Sequence, residues 1–490
     1  MCPPPVCVYW VVAQHRKSYI FLRKINAIYS EHSWYTVDRT TRKDDADMAF
    51  QYPHLEDVRR AAAALGVTIP LEEDLSALAQ PLTIGAHTAA NRLAIQPMEG
   101  CDGKADGSPD ELTVRRYHRF AESGAGLIWG EATAVLPDAR ANPRQLMLTP
   151  QNVDAFKALV EQVKQRCLAK NGFEPVMIVQ LTHSGRYSKP TGKPAPRVMY
   201  HCPPYEASAP LDDACLMSDE ELDALPEAYA ASARLAEQAG FDGVDIKACH
   251  RYLFSESLSA FTRPGRYGGS FDNRTRLLLG TVDAVRATIS ARTILTSRLN
   301  IYDGVEAPYG FGMDPDGSLT PDMTEPEQLV RMLHEQRGLS LIDFTIGNPY
   351  VNPHVNRPFD QGPYAPPEDP LVGVARMADC IGTVASAFPN LSVIASGLSY
   401  LRQWSPQFAA GMLAQKGVAM AGFGREAFAY PTFASDILHK GALDASKCCI
   451  ACGKCTELMR MGSRAGCVVR DAAVYAPLYR EGKEKMACQK

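Results

Sequence analysis

The chain has 490 residues, 51 basic and 55 acidic side chains, and a formal net charge of -4. This balance predicts no nucleic-acid partner, and no apolar run approaches the roughly 18 residues that span a bilayer. We therefore expect a soluble, cytoplasmic protein with one large α/β domain and appendages.

The first 47 residues have little of the pattern of a folded segment. The apolar run 6–13 is too short for a secretory signal, although the absence of acidic residues from positions 1–30 leaves a weak organelle-transit interpretation open. We expect either a disordered extension over 1–47 or translation that begins at Met48. A helical segment over 48–80 is predicted to follow, with its helix at 54–66.

From residue 81 to residue 440, strand-like apolar runs alternate with amphipathic stretches. A short hairpin is predicted around 82–84 and 92–95. The strand-like runs are 93–96, 126–129, 176–182, 243–246, 294–299, 341–346, 393–396 and 418–421. The helical stretches are 112–123, 152–169, 219–239, 273–290, 325–337, 371–387, 399–415 and 424–439.

Eight strands alternating with eight helices predict a (β/α)₈ TIM barrel over 81–440. An open doubly wound sheet is disfavoured, because the turn after the first strand, 96–100, lacks the G-x-G-x-x-G pattern of dinucleotide-binding folds. The long proline- and glycine-rich loops 183–217, 301–323 and 347–370 follow strands, so we expect them on the face where barrels carry their active sites.

Polar residues collect where these predicted strands end. They are Glu99, Glu131, Gln180, His183, Lys247, His250, Tyr252, Arg298, Asn348 and His354. A histidine such as His183 is more often structural than catalytic, and Glu131 has the alternative role of capping the polar end of the barrel. Gln180 and Arg298 need partners, and a planar hydrogen-bonding ligand such as a flavin would supply them.

Two glycine-containing turns follow the last two predicted strands. Ser396 and Gly397 follow the seventh, and the run Gly422, Phe423, Gly424 and Arg425 follows the eighth. Free backbone N–H groups, the start of a helix and the charge of Arg425 together predict a phosphate site.

Several ordered motifs over residues 81–430 resemble the old yellow enzyme family of FMN-dependent oxidoreductases. The resemblance is greatest to its iron–sulfur branch, which includes 2,4-dienoyl-CoA reductase, trimethylamine dehydrogenase and bile-acid-inducible reductases. The motifs are NRLAIQPM at 91–98, QLTHSGR at 180–186, AGFDGVDI at 239–246, YL at 252–253, YGGSFDNR at 267–274 and GFGR at 422–425.

The resemblance implies an FMN cofactor and NAD(P)H as electron donor. Gln180 and Arg298 would bind the flavin pyrimidine, and a phosphate would be held at the two glycine turns. Position 99 lies near the flavin C4 carbonyl in relatives, and a glutamate there is unusual for the classical branch of the family. The implied cofactor-binding residues are Pro97, Met98, Glu99, Glu131, Gln180, Arg298, Ser396, Gly397, Gly422, Gly424 and Arg425.

The resemblance also implies catalytic roles after the fourth strand. Tyr252 would protonate one carbon of an activated C=C bond while hydride from the flavin N5 adds to the other, and His250 and Lys247 would polarise the acceptor oxygen. Lys247, Arg251 and His354 suggest a cationic pocket for a carboxylated or thioester-linked small-molecule substrate. Oxidation of an amine-like donor and a purely electron-transferring subunit remain alternatives.

A cysteine-rich segment, 441–490, follows the predicted barrel. The spacing Cys449-x2-Cys452-x2-Cys455-x11-Cys467 suits a [4Fe–4S] cluster, with structural zinc as the alternative and Cys448 as another first ligand. The chain stops before the FAD- and NAD(P)-binding domains of the larger relatives. We therefore expect electrons from NAD(P)H directly or from an electron-transfer partner, and a homo-oligomer.

Overall fold

A computed structural model describes residues 50–360 and 364–488. The expectations for 1–47 and for Met48 therefore lie outside the described residues. In the part of the chain that is described, no helix is both long and apolar enough to cross a membrane.

The chain divides into two compact units. Within the described residues the smaller unit comprises 50–51 and His201–Asp212. In it the short helix Pro203–Glu206 ends on Glu206, whose carboxylate accepts a hydrogen bond from the Cys202 backbone N–H at 2.8 Å and lies 2.9 Å from His201 Nδ1. The larger unit comprises Tyr52–Tyr200 and 213–488.

The larger unit is built on a closed barrel of eight parallel strands. They are β3 (Leu93–Ile95), β4 (Leu127–Ala134), β5 (Val176–Thr182), β6 (Gly243–Ile246), β7 (Ile294–Asn300), β8 (Leu341–Thr345), β9 (Ser392–Ala395) and β10 (Met420–Phe423). Each pairs with its neighbour in chain order, and β10 closes the barrel on β3. The predicted TIM barrel is confirmed, and every predicted strand overlaps an observed one.

The predicted hairpin is partly wrong. β1 (Leu82–Ile84) pairs antiparallel with β2 (His87–Ala89), and the segment around 92–95 is instead the first barrel strand. Gly85, with φ +58°, makes the tight turn that brings these strands together. Ile84 and Ala89 pack into the apolar cluster formed by the first residues of the barrel strands, so the hairpin closes the amino-terminal end of the barrel.

Helices surround the barrel in the predicted places. The long ones are Glu111–Ala121, Val153–Asn171, Asp219–Gln238, Phe271–Arg286, Thr324–His334, Pro370–Ala387 and Ser405–Lys416, and Leu55–Ala64 precedes the hairpin. Residues 398–404 form a separate 3₁₀ turn. The helix predicted at 424–439 is two helices, Arg425–Ala429 and Phe433–Lys440, because Pro431 between them lacks the N–H that a continuous helix needs.

The cysteine-rich segment folds back onto the barrel with the helices Lys454–Arg460 and Ala472–Cys488. Ala465 N–H donates to the Gly100 carbonyl at 2.6 Å. Arg115 makes a bidentate ion pair with Asp471, at 2.7 and 2.9 Å. These contacts hold the segment against the loop that follows β3, at the carboxyl ends of the strands.

Candidate active site

The inner face of the barrel changes from apolar to polar along the strands. Alternate residues of a strand face the same side, so Ile178 is followed inward by Gln180 on β5, and Leu341 by Asp343 on β8. On β7, Ile294 and Arg298 are four residues apart and face the same side, so the same change from apolar to polar occurs there. The carboxyl end of the barrel therefore has a polar floor, made by the same alternation that makes its apolar core.

Asp343 joins two strands on opposite sides of this floor. Its Oδ1 accepts a hydrogen bond from Gln96 Nε2 at 3.0 Å, and its Oδ2 lies 2.9 Å from Arg298 Nε. Burial raises the pKa of the Asp343 carboxyl to about 7, against the opposing charge of Arg298. The guanidinium of Arg298 is thus anchored from below while its residue lines the cavity above.

Asp245 is the second anchor. Its Oδ2 accepts hydrogen bonds from Gln180 Nε2 at 2.6 Å and Trp129 Nε1 at 2.8 Å, and its Oδ1 accepts from the Arg298 backbone N–H at 2.7 Å. Burial raises the pKa of Asp245 to about 6. Both aspartates were missed from the sequence. The available signal was an acidic residue inside a short, otherwise apolar strand, in GVDI and in LIDFT.

A cavity of about 1240 Å³ of empty space, including its open mouth, lies above this floor. The predicted site residues that line it are Pro97, Met98, Glu99, Gln180, Lys247, His250, Tyr252, Arg298, Ser396, Gly397, Gly424, Arg425, Cys449 and Cys455. Residues that line it without having been predicted include Gln96, Tyr350, Asn356, Arg357, Tyr400 and Met459. They lie in loops or in short helical turns, where no residue periodicity points to a direction.

Tyr252 lies in a network of polar groups. Its hydroxyl donates to Glu99 Oε1 at 3.1 Å and lies 3.1 Å from the Tyr350 hydroxyl. The Lys247 ammonium lies 3.4 Å from the centre of the Tyr252 ring and 3.6 Å from Glu99 Oε1. Burial and the charge of Glu99 raise the pKa of Tyr252 well above its ordinary value, so the phenol holds its proton at neutral pH.

His250 and Arg251 have left-handed backbone conformations, with φ of 62° and 61°, and their side chains diverge. His250 lines the cavity, where burial and then the charges of Arg298 and Lys247 hold its pKa well below the ordinary value. It is therefore a neutral imidazole at neutral pH.

Arg251 points away from the cavity and corrects the expectation of a strongly cationic pocket. Its guanidinium lies 3.2 Å from Asp303 Oδ2 and 2.9 Å from the Tyr309 carbonyl, buried in the loop network. His354 does not line the cavity either, since its Nδ1 lies 2.6 Å from the Tyr364 hydroxyl. Of the three cations, only Lys247 reaches the site, and its charge faces Glu99.

Glu131 and Gly422, both predicted at the cofactor, do not line the cavity. Glu131 lies within the register shift of β4, between Trp129 and Ala132, and forms a buried ion pair with Arg116 at 2.7 Å, while its Oε2 accepts from the Gly100 N–H at 2.9 Å. Burial raises the pKa of Glu131 to about 7. At Gly422 a Cβ would lie 2.0 Å from Gln96 Nε2, so the absence of a side chain here leaves space for the Gln96 amide. His183 does not line the cavity either; it is buried, and its Nδ1 accepts a hydrogen bond from the Gly185 N–H at 3.1 Å.

The two glycine turns meet at the other end of the cavity, where Ser396, Gly397, Gly424 and Arg425 all line it. Gly397 has φ +81°, and a Cβ there would lie 1.9 Å from Met377 Sδ, so the turn requires glycine. The helix that begins at Arg425 has only 5 residues, which leaves little helix dipole for an anion. Attraction of a phosphate here depends on the Arg425 side chain and on backbone N–H groups.

The cysteine-rich segment forms part of the cavity wall through Cys449, Cys455 and Met459. The thiols of Cys449, Cys452 and Cys467 each interact electrostatically with Cys455. As they stand, the thiols do not converge. Within residues 50–360 and 364–488, no group of three or more His, Cys, Asp or Glu side chains is arranged to hold a metal ion.

Cys448 is oriented differently from its neighbour. It is fully buried, and its Sγ lies 3.4 Å from the Asp444 carbonyl. Cys449, in contrast, lines the cavity together with Cys455. Of the two candidates for a first ligand, Cys449 thus lies on the same cavity wall as Cys455, and Cys448 does not line the cavity.

The donor set around the cavity fits FMN. Amide and guanidinium groups of Gln180 and Arg298 lie at one end and the cation Arg425 lies at the other. The floor residue Gln96 has a buried Oε1 with no hydrogen-bond partner in the described part of the chain, so it keeps a free acceptor for a ligand N–H. Polar groups that suit a planar heterocycle and a cation that suits a phosphate are thus placed at opposite ends.

Comparison with known proteins identifies this arrangement. The NADPH dehydrogenase of Geobacillus thermodenitrificans (strain NG80-2) is 31% identical over 281 residues, which is 55% of this chain and 73% of that protein. An old yellow enzyme homologue from Zymomonas mobilis superposes with a TM-score of 0.57 and 23% identity, over 76% of this chain and 94% of its own.

A 2-naphthoyl-CoA reductase in complex with 2-naphthoyl-CoA has the same fold, with a TM-score of 0.64 and 18% identity over 81% of this chain; the match spans 57% of that longer protein. The family model for NADH:flavin oxidoreductase / NADH oxidase matches residues 77–349, more than half of the sequence. The chain therefore belongs to the NADH:flavin oxidoreductase / NADH oxidase family.

Proposed function

We propose that this flavin-dependent oxidoreductase reduces an activated C=C bond of an enone, enoate or enoyl thioester, with electrons from NAD(P)H. The observation that carries the proposal is the Tyr252 hydroxyl, a protonated phenol that lines the cavity and is held between Glu99 and Tyr350. A reduction of this kind needs an acid that delivers a proton to carbon, and few side chains other than a tyrosine remain protonated there at neutral pH.

Gln180 and Arg298 would hold the flavin ring, with Pro97, Met98 and Glu99 beside it, and Ser396, Gly397, Gly424 and Arg425 would hold its phosphate. When bound, the flavin supplies the hydride that adds to one carbon of the double bond. Tyr252 donates its proton to the other carbon, and solvent then reprotonates the phenolate. His250, a neutral donor in the cavity wall, binds the carbonyl oxygen of the substrate and polarises it.

Lys247 acts mainly on Tyr252 in this proposal. An ammonium 3.4 Å from the ring centre stabilises the negative charge that the ring acquires when the phenol gives up its proton. The contact with Glu99 at 3.6 Å engages the same charge. A carboxylated substrate would therefore have to compete with Glu99 for Lys247, whereas a thioester carbonyl would need only His250.

The test is Tyr252→Phe in the purified, flavin-loaded protein, followed by anaerobic stopped-flow spectroscopy. Reduction of the flavin by NADPH or NADH should stay intact, and reoxidation by an enone should slow about 10²–10⁴-fold, the range typical of a lost general acid. Tyr187→Phe is the matched control, because Tyr187 packs 5.7 Å from Tyr252 but does not line the cavity. An unchanged reoxidation rate in Tyr252→Phe would remove the acid role.

The proposal includes a [4Fe–4S] cluster bound by Cys449, Cys452, Cys455 and Cys467. Its support is the donor set, four free thiols that share electrostatic contacts through Cys455, two of which lie in the wall of the flavin cavity. The thiols would have to move together on binding. Iron and acid-labile sulfide in anaerobically purified protein test it, and zinc without iron would replace the cluster with the structural-zinc alternative.

The position of the cysteine-rich segment in the cavity wall favours a second candidate function. Cys449, Cys455 and Met459 border the cavity, so electrons could leave the flavin through the cysteine-rich segment to a partner protein. In that case the enzyme would oxidise an amine-like donor. Anaerobic mixing decides between the two directions: NAD(P)H reduces the flavin of a C=C reductase, while an oxidative enzyme is bleached by its donor and by neither nicotinamide.

A further inference from the structure

Arg357 is a buried cation whose guanidinium has two nitrogens without a partner in the protein. It follows the short helix Pro353–Asn356 in the loop after β8, is 9% exposed and lines the cavity. Its Nε and Nη1 have no hydrogen-bond partner anywhere in residues 50–360 and 364–488. Burial of a guanidinium without an opposite charge destabilises a protein, so we expect an anionic ligand beside it.

The loop after β8 lies beside the first of the two glycine turns, the one that contains Gly397. Both pack against the same face of the helix Pro370–Ala387. A Cβ built on Gly373 of that helix would lie 3.1 Å from Pro358 Cγ, and Gly397 lies against Met377, one helical turn further along. Because Pro358 directly follows the arginine, the guanidinium belongs to the side of the cavity where a phosphate is predicted.

The cations of the cavity differ in whether a carboxylate accompanies them. Arg298 and Lys247 each face a carboxylate, at 2.9 and 3.6 Å. Arg357 and Arg425 pair with none in the part of the chain that the structure describes. They repel each other instead, since burial and then the charge of Arg425 lower the pKa of Arg357 to about 9, which leaves it protonated at neutral pH. Two such cations in one cavity suit a ligand with about two negative charges, such as a phosphate monoester.

We propose that Arg357 is a second phosphate ligand of FMN, which acts together with Arg425 and the glycine turns and makes the site selective for a flavin that carries a phosphate. The inference rests on the flavin of the proposed function. The N–H groups without a protein partner would donate to phosphate oxygens, and such charge-assisted hydrogen bonds are about twice as strong as those between neutral groups. Gln180 and Arg298 would hold the flavin ring elsewhere in the cavity, so the two contributions to affinity are separable.

The experiment compares the binding of FMN and riboflavin, which differ only in the phosphate, to full-length protein freed of flavin. Quenching of flavin fluorescence measures each Kd. Arg357→Gln should raise the Kd for FMN about 10–100-fold and leave the Kd for riboflavin within about twofold of the wild-type value. Arg357→Lys keeps the charge and should lose less FMN affinity.

Arg460→Gln is the matched control. This exposed arginine also acts on Arg357 through its charge but does not line the cavity, so its removal should leave the Kd for FMN unchanged. Riboflavin binding also shows whether each variant folds its cavity. Equal losses of FMN and riboflavin affinity in Arg357→Gln would overturn the inference, because the arginine would then act on the ring or on the fold.

Two further outcomes would also overturn the inference. Arg357→Gln could keep its FMN affinity but show a raised KM for an enoyl-CoA thioester and not for a neutral enone, which would assign the arginine to phosphates of the substrate. Loss of FMN affinity in Arg425→Gln alone would leave the phosphate site of the proposed function in place without Arg357. Wild-type protein that binds FMN and riboflavin equally well would overturn that phosphate site, and the inference with it.

Discussion

The floor of the cavity and its rim, which is formed by Arg357 and the cysteine-rich segment, differ in how their buried charges are compensated. On the floor, Asp343 faces Arg298 and Gln96, and Asp245 accepts three hydrogen bonds, so each buried carboxylate has partners within the protein. At the rim, the guanidinium of Arg357 lies beside Gly453, between Cys452 and Cys455, with no hydrogen-bond partner for its Nε and Nη1 in the described residues.

This difference indicates what each region is built for. A network whose carboxylates are paired within the protein holds its side chains in place before any ligand arrives. An uncompensated cation destabilises the empty protein and is compensated only when an anionic group binds. The floor is therefore preorganised, whereas the charge of Arg357 at the rim is left for an anionic ligand to compensate.

Replacing one of the cysteines of the proposed cluster should have the largest effect, which is on the iron content of the protein. Cys455→Ser removes the thiol that interacts with Cys449, Cys452 and Cys467, and we expect complete loss of bound iron. Cys448→Ser is the control and should retain it, because that thiol faces the Asp444 carbonyl. Iron and sulfide assays check both, and equal loss in the two variants would contradict the choice of Cys449 over Cys448.

Breaking the floor should cost more stability than any surface change. Asp343→Ala leaves Arg298 buried without its carboxylate, and we expect the free energy of unfolding to fall by about 3–5 kcal/mol. Asp379→Ala, which removes an exposed ion pair with Lys416, should cost less than about 1 kcal/mol. Denaturant titrations measure both. A similar small cost in the two variants would mean that the floor is not held by Asp343.

The floor should also respond to pH. Burial raises the pKa of Asp245 to about 6, against an unfolded value of about 3.9. The folded state therefore binds this proton more tightly, and the contribution to stability falls as pH rises from about 4 to about 6. Asp245→Asn cannot titrate, so wild type should lose about 2–3 kcal/mol relative to it across that window. Stability curves that stay parallel over this range would contradict the raised pKa.

The smallest effect on the reaction is expected at Tyr350, which lines the cavity in the loop after β8. Tyr350→Phe keeps the ring that packs 4.0 Å from Tyr187 but removes the hydroxyl beside Tyr252. Losing one such hydrogen bond should slow reoxidation by an enone about 2–10-fold, equivalent to about 0.5–1.5 kcal/mol. Stopped-flow reoxidation measures it, and a loss as large as that of Tyr252→Phe would make Tyr350 the proton donor.

Patterns local in sequence predicted the barrel and the strand-end residues well. Alternation of apolar and polar residues specifies which side of a strand faces inward, so the positions of Gln180 and Arg298 at the cavity follow from the order of residues along the chain. The errors arose where backbone irregularity redirects a side chain. Glu131 lies within a register shift in β4 and pairs with Arg116, and the left-handed conformations at 250–251 send His250 and Arg251 apart.

The class of fold, the family and most of the residues that surround the cavity could be read from the order of amino acids, because each follows from periodicity or from a motif of adjacent residues. Which charges are compensated, in contrast, depends on contacts between distant parts of the chain. Asp343 meets Gln96 across 247 positions of sequence, and Arg357 meets the cysteine turn after a long excursion of the chain. Such pairings depend on strand register and loop path, which no local pattern encodes.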